Sequence, residues 1–211
     1  MMLKNKTIIF YSRALLFIAA FLGVYLEITK HGGFGMLLYY TVLSNLLVTL
    51  FTAYLLLKMR GDDDSWQNPG ILRLKGGVTM SIMITCVIYH FMLAPIATDF
   101  YRLENFLCHY IVPLWFLADT LLFDKNRQYK WFDPIVWTVL PLLYMGFAIL
   151  NGLVLKMNIP NAKDNPFPYF FLNANKYGWG FVFRWAATIF VAYMISGYLF
   201  YLVKNIKKSK K

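Results

Sequence analysis

The chain has 211 residues, of which 59% are apolar, 19% aromatic and only 15% charged, against roughly 45–50% apolar and about 25% charged in soluble domains. That much apolar surface cannot be hidden in one globule. The same numbers exclude intrinsic disorder, and two cysteines exclude a disulfide scaffold.

Six apolar stretches predict membrane helices over residues 8–28, 36–57, 77–95, 105–123, 134–152 and 177–203. Each is close to the ~20 residues needed to cross the hydrocarbon core. None alternates with a period of two, so a barrel does not fit, and helices remain to satisfy the backbone in lipid. The expected fold class is an all-α polytopic membrane bundle, in one integral membrane domain without a repeat between its halves. The first stretch follows Lys4 and Lys6, but its apolar run is long for a signal peptide and no A-x-A site follows. It is expected to stay in the membrane.

Orientation follows from the basic residues. With six crossings, both termini share a face with the second and fourth loops. That face carries Lys4, Lys6, Lys58, Arg60, Arg73, Lys75, Lys125, Arg127, Lys130, Lys204, Lys207, Lys208, Lys210 and Lys211, fourteen in all. The opposite face carries five: Lys30, Arg102, Lys156, Lys163 and Lys176. Both termini are therefore expected in the cytoplasm. The net charge of +11 is read as topology and contact with anionic headgroups, not as a nucleic-acid surface.

Ionisable and polar groups inside spans are expensive and mark candidate sites. At 1.5 Å per residue, Thr41 in the second span, His90 in the third, His109 in the fourth and Arg184 in the sixth fall about 8, 6, 7 and 9 Å outward of their span centres. They share one layer of the outer leaflet. Thr41 and Asn45 lie on one helical face beside Ser44, with Thr49 and Thr52 continuing the stripe. Such a stripe faces protein or water. The plainer reading of each Thr and His is an interhelical hydrogen bond. Pro113 cannot donate to the His109 carbonyl, which predicts a kink there. Asp119 lies about 15 Å further along the fourth span, so no Thr-His-Asp triad is assigned. Arg13 is expected to snorkel to the inner interface, and Glu27 to pair with Arg184 or stay wet. Cys86 and Cys108 fall at different depths, so no disulfide is expected. A zinc site on His90, His109 and a carboxylate lacks ligand spacing, and no metal or cofactor is assigned.

Two loops stand out. Arg60-Gly61-Asp62-Asp63-Asp64 offers three adjacent carboxylates, read as a solvated loop rather than a cation site. Residues 161–175 carry Pro166, Phe167, Pro168, Tyr169, Phe170 and Phe171, where the prolines forbid a regular helix. That loop is either an interfacial aromatic belt or a lid or short re-entrant segment over a cavity, with Pro166, Phe167, Pro168 and Tyr169 as the lid residues.

Three motifs in order carry a resemblance. Tyr39-Tyr40-Thr41-Val42-Leu43-Ser44-Asn45 resembles the second-span signature of the androgen-induced-gene and FAR-type membrane proteins, and more closely that of their bacterial six-span "Pr6Pr" relatives. His109-Tyr110-Ile111-Val112-Pro113-Leu114 with Asp119 resembles the fourth-span signature. Asn165-Pro166-Phe167-Pro168-Tyr169-Phe170-Phe171-Leu172-Asn173 resembles the family's Tyr-Pro-Tyr-Pro-Phe-Leu-Asp loop, with its order shifted and Asn173 in place of Asp. Animal members are atypical hydrolases that cleave fatty-acid esters of hydroxy fatty acids with a threonine and a histidine. The resemblance thus implies Thr41 as nucleophile and His109 as base, acting on a lipid ester, in a bacterial plasma membrane. Asn45, His90 and Arg184 are the candidate oxyanion or substrate contacts. The expected partners are membrane lipids, including a fatty-acyl ester substrate. The competing class is a transporter or scaffold that uses the same polar layer for binding or packing.

Overall fold

The structure, a computed structural model, describes residues 5–61, 64–97 and 99–206. Lys4, Asp62, Asp63, Lys207, Lys208, Lys210 and Lys211, which entered the charge count and the loop reading, lie outside the described residues. Asp64 is described, and its carboxylate lies 3.6 Å from Lys125 Nζ.

The described chain is helical, without strands, and six helices are long and apolar enough to cross a membrane: α1 (Lys6–His31), α2 (Tyr40–Met59), α3 (Pro69–Ile96), α4 (Leu103–Phe123), α5 (Asp133–Leu155) and α6 (Trp179–Asn205). These properties are those of a multi-pass membrane protein. An even number of crossings puts both ends of the described chain on one face, here the terminal face; the other is the distal face. Large apolar side chains such as Phe21, Leu50, Val154 and Leu199 point outward, as a lipid-facing surface requires.

Local chemistry sets the helix ends. The Asn5 side chain accepts from the Thr7 and Ile8 N–H groups and caps α1. Asn68 caps α3, with Pro69 at its first position, where a missing N–H costs nothing. Helix α3 therefore begins eight residues before the predicted 77 and takes in Arg73 and Lys75, expected in a loop. Helix α2 starts at Tyr40 rather than 36, because residues Gly33–Leu38 form a tighter 3₁₀ stretch after Gly32 (φ +148°).

Helices α1 to α4 form the inner bundle around Leu16, Val48, Leu55, Ile82, Val112 and Phe116. Helices α5 and α6 form an outer layer on α3, joined to it by Met80, Trp137, Tyr193 and Phe200. At the distal face three spans leave the α pattern for a wider π turn: α3 at Tyr89–Leu93, α4 at Leu107–Ile111 and α5 at Asn151–Leu155. In α4 the Val112 N–H reaches back to Leu107 O, and the next residue, Pro113, has no N–H to give.

Near the terminal face the bundle buries a charge cluster. Arg13 does not snorkel: its side chain is fully buried, with Nε 3.1 Å from Asp119 Oδ1 and Nη2 2.9 Å from Asp124 Oδ1. Lys75 Nζ bonds Asp119 Oδ2 and lies 2.8 Å from Asp124 Oδ2. Lys204 Nζ donates to the carbonyls of Thr120 and Asp124. The Trp66 ring covers the Arg13 guanidinium at 4.7 Å. Depth along α1 suggested an interfacial arginine; two carboxylates more than a hundred residues away hold it inside instead.

Candidate active site

Thr41 is the second residue of α2. Tyr39 is extended (φ −89°, ψ 135°), so α2 starts abruptly with its first N–H groups lacking acceptors within the helix. Thr41 is 8% exposed and His109 7% exposed, and Thr41 Oγ1 lies 3.4 Å from His109 Nε2. The other imidazole nitrogen, Nδ1, lies 3.1 Å from the Asn105 carbonyl oxygen. A carbonyl only accepts, so that contact puts the proton on Nδ1 and leaves the Nε2 lone pair facing the threonine. Tyr89 stacks on the imidazole, with ring centroids 3.6 Å apart and planes 20° apart. The ring is thus fixed by one hydrogen bond, to the first turn of α4, and one stack, from the π turn of α3.

The polar stripe of α2 faces protein throughout: Thr41, Ser44, Asn45, Thr49 and Thr52 are all buried. Asn45 Nδ2 donates to Thr41 O at 2.8 Å and to Cys108 O at 3.0 Å, tying α2 to α4 beside the histidine. Both amide protons are thereby used, so Asn45 positions the pair and has no N–H left for a substrate oxygen. Ser44 Oγ donates to Thr41 O at 3.0 Å and lies 2.8 Å from Thr85 Oγ1 on α3.

Two of the other expected contacts stand apart. His90 is exposed, its Nδ1 3.3 Å from Tyr110 Oη, and it borders neither cavity of the site. The π turn at Tyr89–Leu93 puts its neighbour Tyr89 against His109 instead. Arg184 is on the exposed side of α6, which packs as an outer helix, and it too borders neither cavity. Glu27 does not pair with it. Glu27 borders the vestibule together with Arg102 and His31. Both cysteines are free and buried. Among the described residues no cluster of three or more His, Cys, Asp or Glu side chains could hold a metal.

Thr41 stands where two cavities meet. One is an apolar cleft of about 100 Å³ between α2 and α3 on one side and α5 and α6 on the other. It runs from Thr41, Thr85 and Tyr89 past Met145 and Ile189 to Thr138 and Tyr193. The second is a vestibule of about 570 Å³ at the distal face, more polar than the cleft though still mainly apolar in its lining, bordered by Glu27, His31, Arg102 and His109 and by Lys163, Asp164 and Lys176. Thr41, Tyr89, Leu93 and Tyr169 border both.

The proline-aromatic loop separates the two cavities. Phe167, Phe171 and Leu172 are buried and Pro168 is enclosed, while Tyr169 and Phe170 are half-buried, so the aromatics pack inward rather than forming a belt. Phe167 sits over Gly152, where an added Cβ would lie 2.0 Å from the Phe167 ring; only glycine permits that approach. Asn151 Nδ2 donates to Pro166 O at 2.8 Å and holds the loop to the π turn of α5. Tyr39 Oη donates to Pro160 O and Tyr144 Oη to Leu38 O, both at 2.8 Å. Asn173 accepts from the Lys176 N–H and caps the turn Ala174–Tyr177, a task the aspartate of the resembling motif could equally perform. Tyr169 Oη lies 3.4 Å from the Thr41 N–H nitrogen, and its burial pushes the phenol above its ordinary range.

Tyr89 and Asn105 are parts of this arrangement that residue-by-residue depth did not single out. Tyr89 acts from a π turn and Asn105 through its backbone carbonyl, neither of which local composition marks. No family model, curated protein or solved structure matches the chain.

Proposed function

We propose that the chain is an integral membrane hydrolase that cleaves a fatty-acyl ester through Thr41, with His109 as general base. The observation that carries this reading is the pairing of Thr41 Oγ1 with the lone-pair nitrogen of a histidine whose tautomer is held by Asn105 O, at the junction of an apolar cleft and a more polar vestibule. A hydroxyl is a weak nucleophile until a base takes its proton. A separation of 3.4 Å is of the kind that tightens when substrate binds.

The reaction is an acyl transfer in two halves. His109 Nε2 takes the Thr41 proton as Oγ1 bonds the ester carbonyl carbon. The same proton then passes to the leaving alkoxide as its C–O bond breaks, leaving an acyl-threonine ester. Water attacks that ester with His109 again as base, releasing the fatty acid and restoring Thr41. The two cavities suit the two halves of such a substrate: an acyl chain in the cleft, and a polar alcohol in the vestibule with its mixed charges.

This reading also places the terminal face in the cytoplasm, from the excess of basic residues there, and the protein in a bacterial plasma membrane, from the family resemblance. The site then works in the outer leaflet. Termini tags reachable by impermeant reagents in intact cells would reverse the orientation.

The test is fluorophosphonate labelling of the detergent-purified protein beside Thr41→Ala and His109→Gln, with thermal stability matched first. Wild-type labelling at Thr41 that is lost in both variants is the expected result. A folded wild type that neither labels nor cleaves lipid esters would refute the hydrolase, leaving Thr41 and His109 as an interhelical hydrogen bond in a transporter or scaffold.

A further inference from the structure

The proposed reaction needs a donor for the oxyanion that forms on the ester carbonyl, and none of the three side chains expected from sequence can act as one. Asn45 has spent both amide protons on backbone carbonyls. His90 and Arg184 are exposed and border neither cavity. We infer that Tyr169 is the missing catalytic residue, its hydroxyl donating to the oxyanion while its oxygen accepts from the backbone N–H of Thr41.

This inference rests on the Thr41–His109 reading, and it follows from how the loop meets the start of α2. The N–H of Thr41 has no acceptor in its own helix and reaches Tyr169 Oη at 3.4 Å. The start of a helix carries partial positive charge, which favours an anion at that point. A phenol that accepts from an N–H keeps its single proton free to donate elsewhere, and the accepted bonds polarise it into a better donor. The neighbouring Tyr144 hydroxyl is already committed to Leu38 O.

Position and rigidity agree with that role. Tyr169 borders both the apolar cleft and the vestibule, as Thr41 does. An ester carbonyl within reach of Thr41 Oγ1 therefore also lies beside the Tyr169 hydroxyl. The ring is held by a parallel stack on Phe171 (centroids 5.3 Å, planes 3° apart) and by the edge of Tyr39 (5.9 Å). Burial keeps the phenol protonated through the neutral range. The proline-aromatic loop is then a fixed part of the reaction centre, rather than a cover over it.

The experiment follows hydrolysis of a p-nitrophenyl ester of a medium-chain fatty acid in detergent micelles. Tyr169→Phe retains the ring stack and removes only the hydroxyl. The expected result is a fall in kcat of about 10²–10³-fold with KM little changed, as for loss of one oxyanion donor, while mass spectrometry still finds the fluorophosphonate adduct on Thr41. Should Tyr169→Phe unfold, a fluorotyrosine at position 169 keeps the shape and lowers the phenol's pKa. The alkaline limb of the kcat profile must then move to lower pH, which a purely structural ring would not cause. Wild-type kcat in Tyr169→Phe, an effect on KM alone, or an unmoved alkaline limb would each overturn the inference while leaving the Thr41 nucleophile intact. A wild type with neither hydrolysis nor Thr41 labelling would overturn both.

Discussion

Removal of Asp119 tests whether the buried charge cluster holds the bundle together. The cluster contains three cations, Arg13, Lys75 and Lys204, and two carboxylates, Asp119 and Asp124, all 2% exposed or less. Asp119 takes Arg13 Nε and Nη2, each at 3.1 Å to its nearer oxygen, and Lys75 Nζ as well. Asp119→Asn keeps the shape but leaves three buried cations against one carboxylate. Breaking a buried pair from one side costs about 3–5 kcal/mol, because the remaining charge has no solvent to turn to. Lys204→Met acts in the opposite sense. It makes the cluster neutral and costs only the hydrogen bonds to Thr120 O and Asp124 O, about 1–3 kcal/mol. Asp119→Asn combined with Lys75→Met removes both partners of one pair and should cost less than Asp119→Asn alone. Reversible unfolding in mixed micelles, followed by tryptophan fluorescence with Trp66 over Arg13 as local reporter, measures all three. An Asp119→Asn variant within about 1 kcal/mol of wild type, the scale of an exposed pair, would refute the reasoning. So would a double variant no more stable than the single one.

Three further outcomes follow from the geometry. Gly152→Ala drives a Cβ into the Phe167 ring and should cost about 1–3 kcal/mol as an overpacking change; thermal melts read the cost, and ester hydrolysis should fall with it as the loop carrying Tyr169 shifts. Burial raises the phenols of Tyr129 and Tyr169 above their unfolded value, so their contribution to stability is complete below about pH 10 and is lost as pH rises past it. Melting temperature should therefore decline in that alkaline range, and Tyr129→Phe should flatten the decline; an unchanged slope would count against burial as the cause. Ala186→Trp places a large ring in the apolar cleft bordered by Ala186 and should depress hydrolysis of long-chain esters while sparing short-chain ones, so an unaltered chain-length profile would exclude the cleft as the acyl site.

The six helices were legible because lipid leaves the backbone no other partner, and apolar length alone then locates each crossing. The depth estimate also put Thr41 and His109 in one layer, since rise per residue is nearly constant even across a π turn. Rotation about the helix axis was not legible. The π turn of α3 presents Tyr89 to His109 and leaves His90 outside, a change that depth cannot register. Arg184 failed for a different reason: α6 belongs to the outer layer, and which helices are peripheral depends on packing between segments distant in the chain. Arg13 and Lys75 looked like interfacial charges because their carboxylate partners lie on or beside another span. In the proline-aromatic loop, composition announced an unusual segment, but its inward packing depends on Gly152 and Asn151 of the preceding helix.

The three π turns all lie at the distal ends of their helices, while the ion cluster lies near the terminal face. The two ends of the bundle are therefore held differently, by buried ion pairs at one and by wider turns at the other. Hydrogen-exchange protection should grade across the membrane, with distal amides of α3, α4 and α5 opening well before those near Lys75 and Asp119. Such a gradient would let the cleft and vestibule widen while the opposite end of the bundle stays closed.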